Sequence, residues 1–205
     1  MRAPAYTRLH TDQRRRQLLE AGAALFAEHA YEEISMRQIA QAAGVSKALL
    51  YHYFPSKTEL FAAAVAEAVG ELQGLIEPRG PGPPAEQLAR SLDAYLRWIE
   101  VNDRMWSKLM QSVGTLSEAH ALVEGFRAHT MDMLLAGLTG PGRAPRPVLR
   151  NALKGWLGYM DAAILDWIQA GGLGRDELRQ LLLAAFAAAL AAARQVDPSV
   201  ELPVF

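Results

Sequence analysis

Residues 35–60 read SMRQIAQAAGVSKALLYHYFPSKTEL, and this stretch decides the fold. Ser35 and Gln38 stand at the S-x-x-Q spacing of a reciprocal helix cap, and Ser56 and Glu59 repeat it as S-x-x-E. Ser46 is a third candidate cap, with Val45 and Leu50 around it at staple spacing; Ile34 and Ile39 flank Ser35 in the same way. Helix starts so close together make the first two helices short. Gly44 falls between them, where a sharp reversal needs a left-handed backbone that glycine adopts without a Cβ clash. A short helix, a glycine turn and a second helix predict a helix-turn-helix. Ala40 is small enough for close crossing, and Leu50 and Tyr53 supply apolar surface.

Ser46, Lys47, Ala48 and Leu49 form the N-terminal end of the second helix, where a DNA-reading helix needs side chains that reach base edges. Lys47 can donate to guanine O6 or N7, and Ala48 and Leu49 can touch a thymine methyl. Ser46, Tyr51, His52, Tyr53 and Lys57 supply hydroxyl, imidazole and ammonium donors, and the free N–H groups near Ser35, Ser46 and Ser56 suit phosphates. Leu50 and Phe54 are core residues. Successive helical residues fan about 100° apart, so one of the rings at 51–53 turns inward. Tyr53 is expected to be that one, with only its hydroxyl free. Lys57 sits near a helix N-terminus, an unfavourable place for a cation. An anion nearby is therefore expected, and a phosphate contact is the functional reading.

Around this stretch, the 205-residue chain is half apolar and about one fifth charged, which is globular. It has no cysteine, which removes disulfides, thiolate catalysis and cysteine metal sites. Net charge is −1, yet residues 1–60 carry +2 and the remainder −3, with Arg2, Arg8, Arg14, Arg15 and Arg16 crowded ahead of residue 17. A basic end on a slightly acidic chain points to a localised anionic partner. Met1 to His10 contains no apolar segment of the secretory kind. The longest uncharged apolar run, residues 181–193, is shorter than the ~20 residues a bilayer span needs. A soluble, cytoplasmic protein is expected.

Helical periodicity runs through the rest. Thr11 or Asp12 starts a first helix through Leu18, Gly22 and Phe26, and Ser56 opens a long one to Ile76. Residues 77–84, EPRGPGPP, break the chain, and residues 140–147, GPGRAPRP, break it again. Between and beyond lie helices over 85–101, 103–113, 117–138, 149–170 and 177–196. No alternating stretch reads as a strand, so the fold class is all-α. The segment Leu178 to Ala193 is apolar on nearly every face and must be covered all round, either within a monomer or against a second copy.

IAQAAGVSKALLYHYFPSKTELF closely resembles the N-terminal DNA-binding region of the TetR family of bacterial transcriptional regulators, over about residues 12–61 and most specifically from Ala42 to Lys57. The chain departs from the family at Ala30, where a glycine usually closes the first helix, at a cost of about 1 kcal/mol if the left-handed cap is kept. It departs again at Leu49, where a small or hydroxyl residue is common. The resemblance implies a helix-turn-helix domain at 1–55 with a basic tail at 1–11, and a connecting helix with a ligand-binding and dimerisation domain at 56–205. It implies a ligand-responsive regulator, foremost a repressor, that binds a pseudo-palindromic double-stranded operator as a homodimer through its last two helices. A small, largely apolar effector would release it. Arg37 and Lys47 would read bases, and Tyr51, Tyr53 and Lys57 would grip the backbone, with Ser35 also among the DNA-binding residues. The arginine-rich tail would lie along phosphates or enter a minor groove. Trp98, Trp106, Met110, Phe126, Trp156 and Met160 would line the effector site, though for any one taken singly the core is the safer reading. Asp161, a carboxylate in an apolar helix, either faces solvent, pairs with an arginine across the dimer, or fixes a ligand's polar end.

No enzyme is indicated. The five histidines show no H-E-x-x-H pairing, and there is no P-loop, no G-x-S-x-G and no strand leading into G-x-G-x-x-G. Ser117 and His120 lie one turn apart, but a cap and a surface histidine explain them. No metal or cofactor is expected. The rival is a helical carrier of hydrophobic small molecules with a vestigial DNA-binding end, which would have lost the basic and hydroxyl residues that this chain keeps around residues 46–57.

Overall fold

The structure is a computed structural model that describes residues 5–78, 82–140 and 144–201, with side chains from residue 11 onward. All regular elements among the described residues are helical: α1 (Ala5–Glu28), a 3-10 turn (Tyr31–Glu33), α2 (Met36–Ala42), α3 (Lys47–Tyr53), α4 (Lys57–Ile76), α5 (Pro84–Val101), α6 (Asp103–Ser112), α7 (Ser117–Thr139), α8 (Pro147–Ala170) and α9 (Arg175–Val196). The chain forms two compact units, one of residues up to 71 with 104–123, the other of 72–103 with residues from 124 on. The division falls inside α4, beyond the expected boundary at residue 55. Leu60, Phe61, Ala64 and Val65 are all buried, so most of α4 belongs to the core that the helix-turn-helix builds.

α1 begins at Ala5, ahead of the Thr11 and Asp12 caps expected from sequence, so residues 5–11 of the expected basic tail are helical. Arg14 donates to Gln17 at 2.7 Å, and the Arg15 guanidinium lies 5.2 Å from the centre of the Phe54 ring. Residues 1–4 lie outside the described residues, and so does any side-chain account of Arg8. The expected penalty at Ala30 does not arise. Its backbone is extended (φ −65°, ψ 146°), and its N–H donates to Glu33 Oε2 at 3.1 Å, so the chain leaves α1 without a left-handed residue. α1 and α4 meet at Gly22, where a Cβ would stand 2.3 Å from Leu60 Cδ2.

In the second unit α8 and α9 pack along each other, and α9 also packs on α5. Leu178, Leu182, Phe186, Leu190 and Ala193 make one buried stripe on α9, while Trp156, Met160 and Ile164 are buried on α8. The indole N–H of Trp156 donates to the Leu182 carbonyl at 2.9 Å, and its ring meets Phe186 edge to face. At the start of α9, Arg175 bonds Glu100 at 2.5 Å and lies 3.6 Å from Asp93, which ties that end to α5. The other face of α9 is bare in the single chain: Leu181 is 45% exposed, and Ala184, Ala187, Ala188 and Ala191 are exposed with it. Gly155, Gly158 and Tyr159 leave a similar bare strip on α8. No helix among the described residues is long and apolar enough to cross a membrane.

Candidate nucleic-acid interface and cavity

The first unit is organised by the caps. Ser35 Oγ accepts from the Gln38 N–H at 3.3 Å and Gln38 Oε1 accepts from the Ser35 N–H at 2.8 Å, which closes the reciprocal cap on α2. Gly44 is left-handed (φ 66°), and the reversal is fixed by the Val45 N–H donating to the Ala40 carbonyl at 3.0 Å. Ser46 Oγ accepts from the Leu49 N–H at 3.2 Å and starts α3; Ser56 Oγ accepts from the Glu59 N–H at 3.1 Å and starts α4. Gln17 on α1 donates to the Ala43 carbonyl at 3.0 Å and braces the turn.

This frame exposes Ser35, Arg37, Ser46, Lys47, Ala48, Tyr51 and His52, while Leu49 and Tyr53 are half-buried. Leu50 and Phe54 are core. Of the three consecutive rings Tyr53 turns inward, while Tyr51 stays 42% exposed. The Lys47 ammonium rests 5.5 Å from the Tyr51 ring centre. The arrangement presents one cation, hydroxyls and an imidazole from a seven-residue helix.

Lys57 departs from the expectation of a free phosphate grip. Its ammonium donates to the carbonyls of Tyr31 (2.7 Å) and Ile34 (2.8 Å) and lies 4.1 Å from the Tyr31 ring centre. The counter-charge anticipated beside this helix N-terminus is thus internal: two carbonyl dipoles and an aromatic face.

The second unit holds a cavity of about 120 Å³, open on one side, between α5 and α7, lined by Leu88, Leu92, Tyr95, Phe126, Met133 and Leu138 and by Trp156, Met160 and Phe186, with Ile76 at the end of α4. Of the six effector-site residues expected from sequence, Phe126, Trp156 and Met160 line it. Trp98, Trp106 and Met110 do not. The Phe126 ring stacks on Tyr95 at 6.1 Å, and Trp98 lies about a turn further along α5. Trp106 and Met110 belong to α6 in the first unit, where Trp106 is a core residue. Polar lining residues were missed: Gln87, Ser91 and Tyr95 recur every fourth residue of α5, a row legible only once its apolar neighbours are known to face a cavity. Gln87 and Thr130 spend donors on backbone, on the carbonyls of Gly82 (2.9 Å) and Phe126 (3.0 Å), so the wall stays mostly apolar.

Asp161 has a partner none of the three expectations named, an arginine of its own chain. Arg127 Nε and Nη2 approach Asp161 Oδ2 at 2.8 and 2.6 Å. Burial nevertheless pushes the carboxyl above its ordinary range, outweighing the guanidinium's pull. Burial, then the Asp161 charge, also holds the Tyr95 phenol well above the usual tyrosine range, against Arg127. No group of three or more histidine, aspartate or glutamate side chains that could hold a metal occurs among the described residues.

These features define a class: a capped helix-turn-helix unit followed by an all-helical unit built around an apolar cavity. The profile "Bacterial regulatory proteins, tetR family" matches residues 18–64, and "Tetracyclin repressor-like, C-terminal domain" matches 84–189. The chain belongs to the TetR family of bacterial regulatory proteins. It is 33% identical over 107 residues to the transcriptional repressor KstR of Rhodococcus jostii, covering 52% of this chain and 45% of that one. It is 36% identical over 95 residues to the transcriptional activator FasR of Mycolicibacterium smegmatis, covering 45% and 43%. The matched segments thus span less than half the length of these curated relatives. A tetR-family regulator from Streptomyces coelicolor superimposes with a TM-score of 0.83 at 28% identity, over 92% of this chain and 85% of that one.

Proposed function

We propose that the chain is a ligand-responsive, DNA-binding transcriptional regulator that acts foremost as a repressor. It binds a pseudo-palindromic operator as a homodimer and leaves it when a small, largely apolar effector enters the cavity. The observation that carries this is the exposed row of the cap Ser46 with Lys47, Ala48, Tyr51 and His52 of α3, held by that cap and a left-handed glycine. Lys47 and Arg37 read bases; Ser35, Ser46, Tyr51, His52 and the Tyr53 hydroxyl hold phosphates, and Ala48 and Leu49 make apolar base contacts. One seven-residue helix reads only a few base pairs, so two copies are needed, and the bare faces of α8 and α9 suit a four-helix dimer contact. The related repressor and activator names point both ways on sign, and repression requires only occupancy of a promoter.

Release works as a population shift. The effector binds one arrangement better than another, and α4, which runs unbroken from Lys57 to Ile76 at the cavity, carries the difference. DNA then weakens effector binding by the same factor. A carrier would share the cavity but has no use for the exposed cations and hydroxyls on α2 and α3.

Selection of duplexes from a random-sequence pool by the purified protein tests the proposal. The expected result is enrichment of paired half-sites about one helical turn apart, with Lys47→Ala relaxing the preference. Enrichment of nothing would leave the carrier as the better account.

A further inference from the structure

The first turn of α4 is tied to the backbone that leads into α2. Lys57 bonds the carbonyls of Tyr31 and Ile34, and the Tyr31 hydroxyl shares a 2.8 Å hydrogen bond with Thr58 Oγ1. Tyr31 itself packs in one ring cluster with Phe26 and Phe61, its ring centre 6.1 and 5.2 Å from theirs, which lie 5.0 Å from each other. An ammonium has three donors; two are spent on carbonyls, and the Tyr31 ring covers a further side. Ile34 is buried and directly precedes Ser35, the cap of α2.

We propose that Lys57 is a positioning residue, a latch that makes the start of α4 and the entrance of α2 move as one body, and that it contacts no phosphate. Three consequences follow from the geometry. A displacement of α4 reaches the DNA-facing surface first at Ser35 and Arg37, at the N-terminal end of α2. The ammonium adds nothing to the count of phosphates neutralised. The cation at the N-terminus of α4 is tolerated because carbonyl dipoles, not an external anion, offset the positive helix end. The consequence for DNA rests on the regulator reading given above; the latch itself does not.

Lys57→Met keeps the aliphatic stem and removes the donors. Its test is amide hydrogen exchange at Ile34, Gln38 and Ile39 in the free protein, together with the salt slope of binding to a duplex enriched from the random pool. The latch predicts exchange at these amides about tenfold faster or more, and a salt slope equal to that of the parent. Unchanged exchange overturns it, and so does a slope shallower by about 0.9, the mark of one lost phosphate contact. Lys57→Arg, which can still donate to both carbonyls, restores protection if the latch is right. Should Lys57→Met fail to fold, Lys57→Gln takes its place: its shorter side chain cannot reach both carbonyls and must speed exchange at the same amides, and no change there overturns the latch. If the parent protein binds no duplex, the regulator reading fails, and the exchange measurement still judges the latch.

Discussion

Two nitrogens of Arg127, Nε and Nη2, converge on a single oxygen of Asp161, at 2.8 and 2.6 Å, while Nη1 holds Glu124 at 2.6 Å. The Asp161 side chain is only 12% exposed, so the pair was formed at a desolvation cost. Arg127→Ala strands the carboxylate and is expected to lower stability by about 2–3 kcal/mol in urea unfolding. Adding Asp161→Asn to that variant recovers part of the loss. A double mutant that simply sums the two single losses would show that the groups are not coupled.

Tyr95 has its folded-state pKa raised, so the native state keeps a proton that the unfolded chain gives up near pH 10. Its contribution is therefore complete below pH 10 and is lost as pH rises beyond it. Stability followed from pH 8 to 11 should fall at the alkaline end, and Tyr95→Phe should fall less steeply. Parallel curves would assign the decline to other groups.

At Gly22 the space for a methyl is already occupied by Leu60 Cδ2, and Leu60 is fully buried. Gly22→Ala gains helix propensity yet must displace that side chain, so a net destabilisation of about 1–2 kcal/mol is expected. Thermal unfolding measures it, as a midpoint lowered by roughly 2–8 °C. An unchanged midpoint would mean that Leu60 moves aside freely.

Gly137 lines the cavity, and a Cβ there would meet nothing within 4 Å. Gly137→Leu is expected to leave the fold intact and to fill the cavity. Binding of the neutral apolar fluorophore N-phenyl-1-naphthylamine should drop at least tenfold, with DNA binding unchanged. Undiminished fluorophore binding would place the effector elsewhere.

The helix-turn-helix was legible because each of its signals is local. Ser35 and Gln38, Gly44, Ser46 and Ser56 determine backbone hydrogen bonds within three or four residues, and each adopts the cap or turn its spacing implies. The internal partners of Lys57, the Tyr31 and Ile34 carbonyls, were not legible because they lie 26 and 23 residues away and leave no side-chain signature. Asp161 is similar, since Arg127 is 34 residues distant. Half the expected effector residues miss the cavity for a related reason. A tryptophan packs equally well in a core as in a cavity wall, and only the placement of α5 against α7 separates Phe126 from Trp106. Ala30 shows the converse, a missing glycine that cost nothing because the chain turned by another route.

The proposed regulator reads DNA through an exposed helix that presents Lys47 in two copies. Its most direct test is titration of the enriched duplex against a random duplex of equal length, by fluorescence anisotropy across salt concentrations, with the mass of the complex determined. The expected result is at least two chains per duplex, an affinity about a thousandfold or more above random DNA at physiological salt, and a log–log salt slope of several units. Equal affinity for both duplexes, or one chain per complex, would contradict it.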